Sequence, residues 1–402
     1  MSTCAIRNFA ISIVLLLVCA DVASAQTRKY GPGVSDTEIR IGQVMPFSGP
    51  VSGLSISSAV QRGYFEMVNE RGGVNGRKIN LLSLDDGYNP AKSIEQTRQL
   101  VERDEVFLIF APVGTPTNAA IQPYLNARKV PHLFVQGGGN RLSEPSKWPW
   151  TVPGMASYKT EGAVYGKYLL GEKPDAKIGV LYQNDDLGRD LLTGLKDGLS
   201  DRSSKMIVSE VAYNVTDATV DSQMLTLKAS GADVIFYFAS PKFAAQAIRK
   251  THQLGWSPLK FLTYGSAQVR TTLEPAGLAA SSGIVTIADK RPIDDPTSDQ
   301  EVKDYYAFMR KYVPHGNPEQ NVEAQAYVLS HILVKVLERC GDDLTRENVM
   351  NQVTSLRDLP IPLGVPGAVV TMSPSDYTLV RVLQLRRFDG AKWIPFGVPL
   401  KL

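Results

Sequence analysis

The chain has 402 residues, 43% of them hydrophobic and 21% charged, with a formal net charge of +3. That length suits two domains or one large one, and the composition is that of an ordinary globular protein. So small a charge, with basic residues no more clustered than the isolated pairs Arg310-Lys311 and Arg386-Arg387, argues against nucleic acid or an anionic membrane as partner.

Residues 1–25 differ from the rest of the chain. Arg7 supplies a positive start, residues 9–19 form an apolar core too short to span a bilayer, and Ala23-Ser24-Ala25 offers a small-x-small cleavage site. A secretory signal peptide cleaved after Ala25 is predicted. Val18 is not the small residue that a lipid-modified Cys19 would need before it, so soluble export is expected. Cys340 is then the lone cysteine of the mature chain and cannot form an internal disulfide. It ends an apolar-periodic helix and reads as a packing residue.

Residues 37–47 predict a first strand, 48–53 a flexible loop, and 56–70 a helix with Val60, Tyr64 and Met67 on one stripe. A turn at 72–77, a strand at 78–85 and a helix at 91–102 follow. The third strand, the apolar run Phe107-Leu108-Ile109-Phe110, breaks at Ala111-Pro112-Val113-Gly114. The chain restarts with Thr115-Pro116-Thr117-Asn118, residue types that a first helical turn accepts. A fourth strand at 130–136 ends in Gly137-Gly138-Gly139. This alternation predicts a doubly wound, parallel α/β sheet.

A second cycle has helices at 160–170, 188–199, 222–230 and 243–254, alternating with strands at 177–182, 206–213, 233–238 and 260–263. Between the halves, 143–154 is rich in proline and tryptophan and reads as an interdomain crossing. The pattern changes again near 277–283, where long helices at 299–312 and 323–339 precede a strand at 378–387 and a closing hairpin.

Sheets of this kind bind ligands beyond the C-terminal ends of their strands. Here that edge gathers the loop opening at Ser48, the Ala111 to Thr117 loop, and the Gln136 to Gly139 loop. A strand that runs into a helix start exposes backbone N–H groups and the positive end of the helix dipole. With Thr115 and Thr117 alongside, that is an anion pocket. The plainer reading is a routine β-α loop. Catalytic patterns are missing. His132, His252, His315 and His331 form no spaced metal pair, and there is no Gly-x-Ser-x-Gly elbow, P-loop or Cys-x-x-Cys. The pair Asp85-Asp86 could serve acid-base chemistry or hold a metal, but such a pair more often caps a turn. No enzyme activity, metal or cofactor is expected.

Over nearly all of the mature chain the sequence resembles the periplasmic solute-binding proteins of branched-chain amino-acid-type ABC importers. The likeness is carried by Ile39-Arg40-Ile41-Gly42, Met45-Pro46-Phe47-Ser48-Gly49-Pro50, Gly72-Gly73-Val74-Asn75-Gly76-Arg77, Asp85-Asp86 with Asn89-Pro90, Val130-Pro131, and Gly341-Asp342-Asp343-Leu344-Thr345. The resemblance implies a type I periplasmic binding protein: two doubly wound α/β lobes joined by hinge strands, with ligand closed between them. With the change of pattern near 280, it divides the chain into 27–147 plus 277–355 and 148–276 plus 356–402. It implies a periplasmic monomer that passes a small-molecule ligand to the membrane permease of an ABC importer.

The resemblance also places the ligand carboxylate on Val113-Gly114-Thr115. Positions that often carry hydroxyls in the amino-acid binders fall at Leu54, Gly138 and Leu187. The acid that pairs with an α-ammonium should lie near Tyr264-Gly265-Ser266, and none stands there in the sequence. Ser48, Gln136, Gly137, Phe238, Tyr264 and Ser266 complete the candidate ligand-binding set. A buried ammonium without a counter-charge costs several kcal/mol, whereas leucines offer a ligand apolar surface. The expected ligand is therefore a small, largely apolar organic acid, aromatic carboxylates included. A branched-chain amino acid is the alternative within that class, and a ligand-sensing receptor of the same fold is the alternative outside it. An exported hydrolase would need a nucleophile-base pair that the sequence lacks.

Overall fold

The computed structural model describes residues 28–402 apart from Pro50, Pro296 and Ser298, so the expected signal peptide lies outside the described residues. A short strand β1 (Lys29–Tyr30) precedes β2 (Glu38–Met45), α1 (Ile56–Glu70), β3 (Lys78–Asp85) and α2 (Pro90–Glu102). Then come β4 (Leu108–Phe110), α3 (Thr115–Ala127), β5 (His132–Val135) and β6 (Thr151–Pro153). These make a parallel sheet in the order β3-β2-β4-β5-β6. Every residue of β4 and β5 is buried, because helices cover both faces; that is why these strands read as unbroken apolar runs.

The second half repeats the plan. It runs α4 (Tyr158–Glu172), β7 (Ile178–Gln183), α5 (Asp186–Leu199), β8 (Ile207–Tyr213), α6 (Asp221–Ala229), β9 (Val234–Phe238), α7 (Pro241–Gln253), β10 (Leu259–Leu262) and β11 (Val285–Ala288). The parallel order is β8-β7-β9-β10-β11. In both sheets the winding reverses beside the first strand, between β2 and β4 and between β7 and β9. Those reversals open a crevice at the strand ends.

The chain then returns to the first half. Helices α8 (Gln300–Tyr312) and α9 (Asn321–Cys340) pack on α1, β12 (Asp343–Leu344) pairs with β1, and α10 (Arg346–Thr354) packs on α9. A small hairpin, β13 (Leu359–Pro360) with β14 (Val369–Val370), leads back to β15 (Val382–Phe388) and β16 (Trp393–Lys401). This last pair extends the second sheet antiparallel to β11. Cys340 ends α9 as a packing residue: its thiol donates to Val336 O at 3.3 Å, and burial pushes it up to about 12.

Sheet membership shifts the expected lobe boundaries at three places. Thr151–Pro153 pairs with β5 in the first sheet, whereas Val285–Ala288 joins β10 in the second. Residues 356–381 run between the halves, and Tyr377 Oη donates to Pro149 O at 3.1 Å. The reason is length. Three- and four-residue buried strands look alike in sequence, and only pairing says which sheet owns them. The expected strand over 378–387 starts at Val382, where pairing with β16 begins, and the Arg381 side chain before it donates to Thr371 O at 3.0 Å.

Candidate ligand cleft

The loop between β4 and α3 is set by Gly114, which adopts φ 108° at the N-cap of α3. A Cβ there would sit 2.5 Å from the Tyr88 ring, so both backbone and space demand glycine. Asn118 ties the loop down, donating to Pro112 O (3.0 Å) and Gly114 O (2.6 Å), while its Oδ1 meets His132 Nε2 at 2.7 Å. Buried and so bonded, His132 is held neutral, with burial pushing its imidazole down to about 3. Thr117 turns its hydroxyl back onto Val113 O at 2.7 Å. The amides of Thr115 and Thr117 find no acceptor among the described residues, and Pro116 has no N–H. Thr115 Oγ1 has only a long 3.5 Å contact with Tyr158 Oη. A buried helix start with free donors is built to take an anion.

Gly137 and Gly138 lie directly beside this loop: a Cβ on Gly137 would be 3.1 Å from the Thr115 amide, and one on Gly138 would be 2.6 Å from the Tyr158 ring. Val113, Gly114, Thr115, Gly137 and Gly138 thus come together. Gln136 is a strut, its side chain donating to Ala111 O at 2.9 Å. The Ser48 hydroxyl is committed to Asp85 Oδ2 at 2.7 Å. Asp85 also accepts from Gly87 N–H and Lys92 Nζ, and Asp86 from Tyr88 N–H and Ser93 Oγ, so this pair caps a turn. Leu54 is half-buried in the turn Ser52–Ser55. In the second half, Leu187 is half-buried at the start of α5, Phe238 is fully buried against Phe236, and the buried Ser266 hydroxyl donates to Ala239 O at 2.6 Å.

Residues the sequence did not single out supply much of the rest. Tyr88 projects from the loop after β3. Burial raises its phenol well above the ordinary range, with Tyr158, Asp185, Asp86 and Tyr213 close enough to add to the shift. Tyr158 opens α4 behind the Ser157 cap, and burial pushes its phenol up to about 12. On the facing half Asp185 caps α5 through Leu187 N–H at 3.0 Å and accepts Gln183 Nε2 at 2.6 Å. Gln183 Oε1 accepts from Tyr213 Oη at 2.7 Å, which accepts Ser240 N–H at 3.0 Å. Tyr88 could have been read from its place after a strand end. Tyr158 and Asp185 could not, since both look like ordinary helix-start residues.

Near Tyr264 the expectation of no acid is corrected. Glu161, a hundred residues earlier in α4, accepts Tyr264 N–H at 2.7 Å, and burial pushes its carboxyl up to about 7. Tyr264 Oη donates to Asp289 at 2.7 Å. The halves also touch at the rim: Asn140 N–H donates to Asp190 at 2.7 Å, and Arg141 lies 3.9 Å from Asp186. A cavity of about 360 Å³ opens there, lined by Pro116, Ala119, Ala120, Arg141, Asp185 and Asp186.

Two wound lobes that touch beside the free donors at the start of α3 have the form of a protein that holds a ligand between its halves. Comparison with known proteins names the family. Residues 38–392 match the family model described as periplasmic binding protein. A Leu/Ile/Val-binding protein homolog of Brucella abortus is 23% identical over 283 residues, covering 68% of each chain. Among solved structures, a substrate-binding periplasmic protein from Ralstonia solanacearum has a TM-score of 0.80 at 23% identity, covering 89% of this chain and 100% of that one. A fatty acid ABC transporter substrate-binding protein from Thermomonospora curvata has a TM-score of 0.78 at 21% identity, covering 93% and 95%. A branched chain amino acid ABC transporter from Thermus thermophilus, with bound valine, has 0.77 at 16%, covering 92% and 98%. The chain belongs to the periplasmic binding protein family, whose members bind and carry substrates and are not enzymes.

Proposed function

We propose that this chain is the extracytoplasmic binding component of an ABC importer. It closes two lobes over a small, largely apolar organic acid and hands it to a membrane permease. The reading includes export by a signal peptide cleaved after Ala25, a monomer in the periplasm, and two lobes whose chain crosses after β6, between β11 and α8, and between α10 and β15. The observation that carries it is the start of α3, where Thr115 Oγ1 and two amides are buried without a strong partner. A carboxylate would take these donors, as it does at other helix starts. The relatives support the class: one is named for fatty acids and another holds valine.

Asp185 favours a second reading, in which the ligand carries an amine as well. Its carboxylate, at the N-cap of α5 and bonded by Leu187 N–H and Gln183 Nε2, lines the rim cavity beside Pro116 and is the acid placed to meet an ammonium there. Asp185→Asn separates the two, because asparagine still caps α5. Calorimetry should show little change for an amine-free acid. Loss of most of the affinity for leucine or valine, in a protein that prefers them, would establish the second reading.

A further inference from the structure

Tyr88 follows β3 and Tyr158 opens α4, and the ring of each is packed on a glycine with no room for a side chain. A Cβ on Gly114 would stand 2.5 Å from Tyr88 Cε2, and one on Gly138 would stand 2.6 Å from both Tyr158 Cδ1 and Cε1. Thr115 follows Gly114 in the chain and lies against Gly137 and Gly139, its Cγ2 crowding the latter. Tyr88 holds its place at a backbone angle that a bulky residue rarely adopts, φ 60°, pinned by its own N–H to the buried Asp86 at 2.9 Å. Tyr158 is fixed by its N–H to Gly138 O at 2.7 Å, so ring and glycine form one unit.

We propose that Tyr88 and Tyr158 are the specificity-determining residues of this cleft, two aromatic rings packed against the Gly114-Thr115 and Gly138 loops that select a planar, aromatic carboxylate over an aliphatic one of similar size. The proposal rests on the reading that Thr115 receives a carboxylate. Given that anchor, an acid whose ring continues from its carboxylate would be brought toward these phenol rings, where offset or edge-on ring contacts add to simple burial. Tyr158 Oη, 3.5 Å from Thr115 Oγ1, also brings a hydroxyl to the anchor beside Gly138, where the chain itself carries none. A side chain at 138 and a ring at 158 exclude each other. Glycine at 138 is thus the counterpart of the wall and not a missing hydroxyl.

The test is titration calorimetry on ligand-stripped protein with benzoate and phenylacetate against 4-methylpentanoate. It is run on the wild type and on Tyr88→Leu, Tyr158→Leu, Gly138→Ala and Thr115→Ala, with melting curves to verify folding. The wild type should prefer the aromatic acids. Each tyrosine variant should reduce that preference about tenfold, the size that ring contacts allow. Gly138→Ala should act like Tyr158→Leu, because the added methyl displaces the ring. Thr115→Ala should weaken all three acids together. If the wild type binds the aliphatic acid as tightly as the aromatic ones, or the tyrosine variants leave the ratio unchanged, the walls are refuted while the carboxylate anchor stands. If no acid binds the wild type, the anchor fails and the walls with it.

Discussion

Thr115 and Thr117 share one helical turn, yet only one of them keeps a hydroxyl without a short partner. Thr117 is turned inward onto Val113 O, whereas Thr115 keeps only a long contact to Tyr158. Thr115→Ala should therefore weaken carboxylate binding by roughly 1.5–3 kcal/mol, the worth of a hydrogen bond to a charged group, as read by calorimetry. An unchanged dissociation constant for the acid that binds best would contradict the assignment. Glu161 gives a second prediction. Burial holds its carboxyl at about 7 against 4.5 in the open chain, so the protonated form is the one that folds most readily. Stability from this group is present below its unfolded value and is lost as pH rises through about 7. Glu323, also pushed up to about 7, falls in the same window, so the comparison must be with a variant. Glu161→Gln should flatten the loss of stability between about pH 5 and about pH 8 by at most roughly 3 kcal/mol. A wild-type pH profile unchanged in the variant would count against it.

At the scale of elements, the start of α3 was legible because its signals are local. Thr115-Pro116-Thr117-Asn118 after an apolar strand says helix start, and that is where the helix begins. The three glycines at 137–139 were legible only as a loop. That Gly138 backs a tyrosine from another element could not be read, since the partner lies in a helix across the first interlobe crossing. Glu161 was invisible for the same reason: a search for an acid near Tyr264 along the chain cannot find one brought there by α4. Gly114 offers the sharpest test at this scale. Gly114→Ala must hold φ near 108° and push Tyr88 aside, so it should lower unfolding stability by roughly 1–3 kcal/mol in urea. A variant as stable as the wild type would mean that the loop can rearrange freely.

In the whole molecule, two sheets of like winding each reverse beside their first strand, and the proposed site lies where the two halves touch. The two-lobe class was readable from the alternation of elements. The exact ownership of Thr151–Pro153 and Val285–Ala288 was not, because hinge-side strands are short and the chain crosses back and forth beside them. On the hinge side a polar chain joins the halves: Lys290 is bonded to Asp289 at 2.8 Å and to Gln325, whose Nε2 donates to Gly154 O at 2.6 Å. At the opposite rim Asn140 and Arg141 meet Asp190 and Asp186, so the arrangement is that of lobes brought together. On the proposed reading, the ligand meets the donors at the start of α3, with Tyr88 and Tyr158 close by. The most direct test is the affinity of ligand-stripped protein for phenylacetate beside phenylalanine, leucine and valine, measured by calorimetry in one buffer. Tighter binding of phenylacetate than of any of the three amino acids is the predicted result. Tighter binding of leucine or valine than of every amine-free acid tried would contradict it and make this an amino-acid binder.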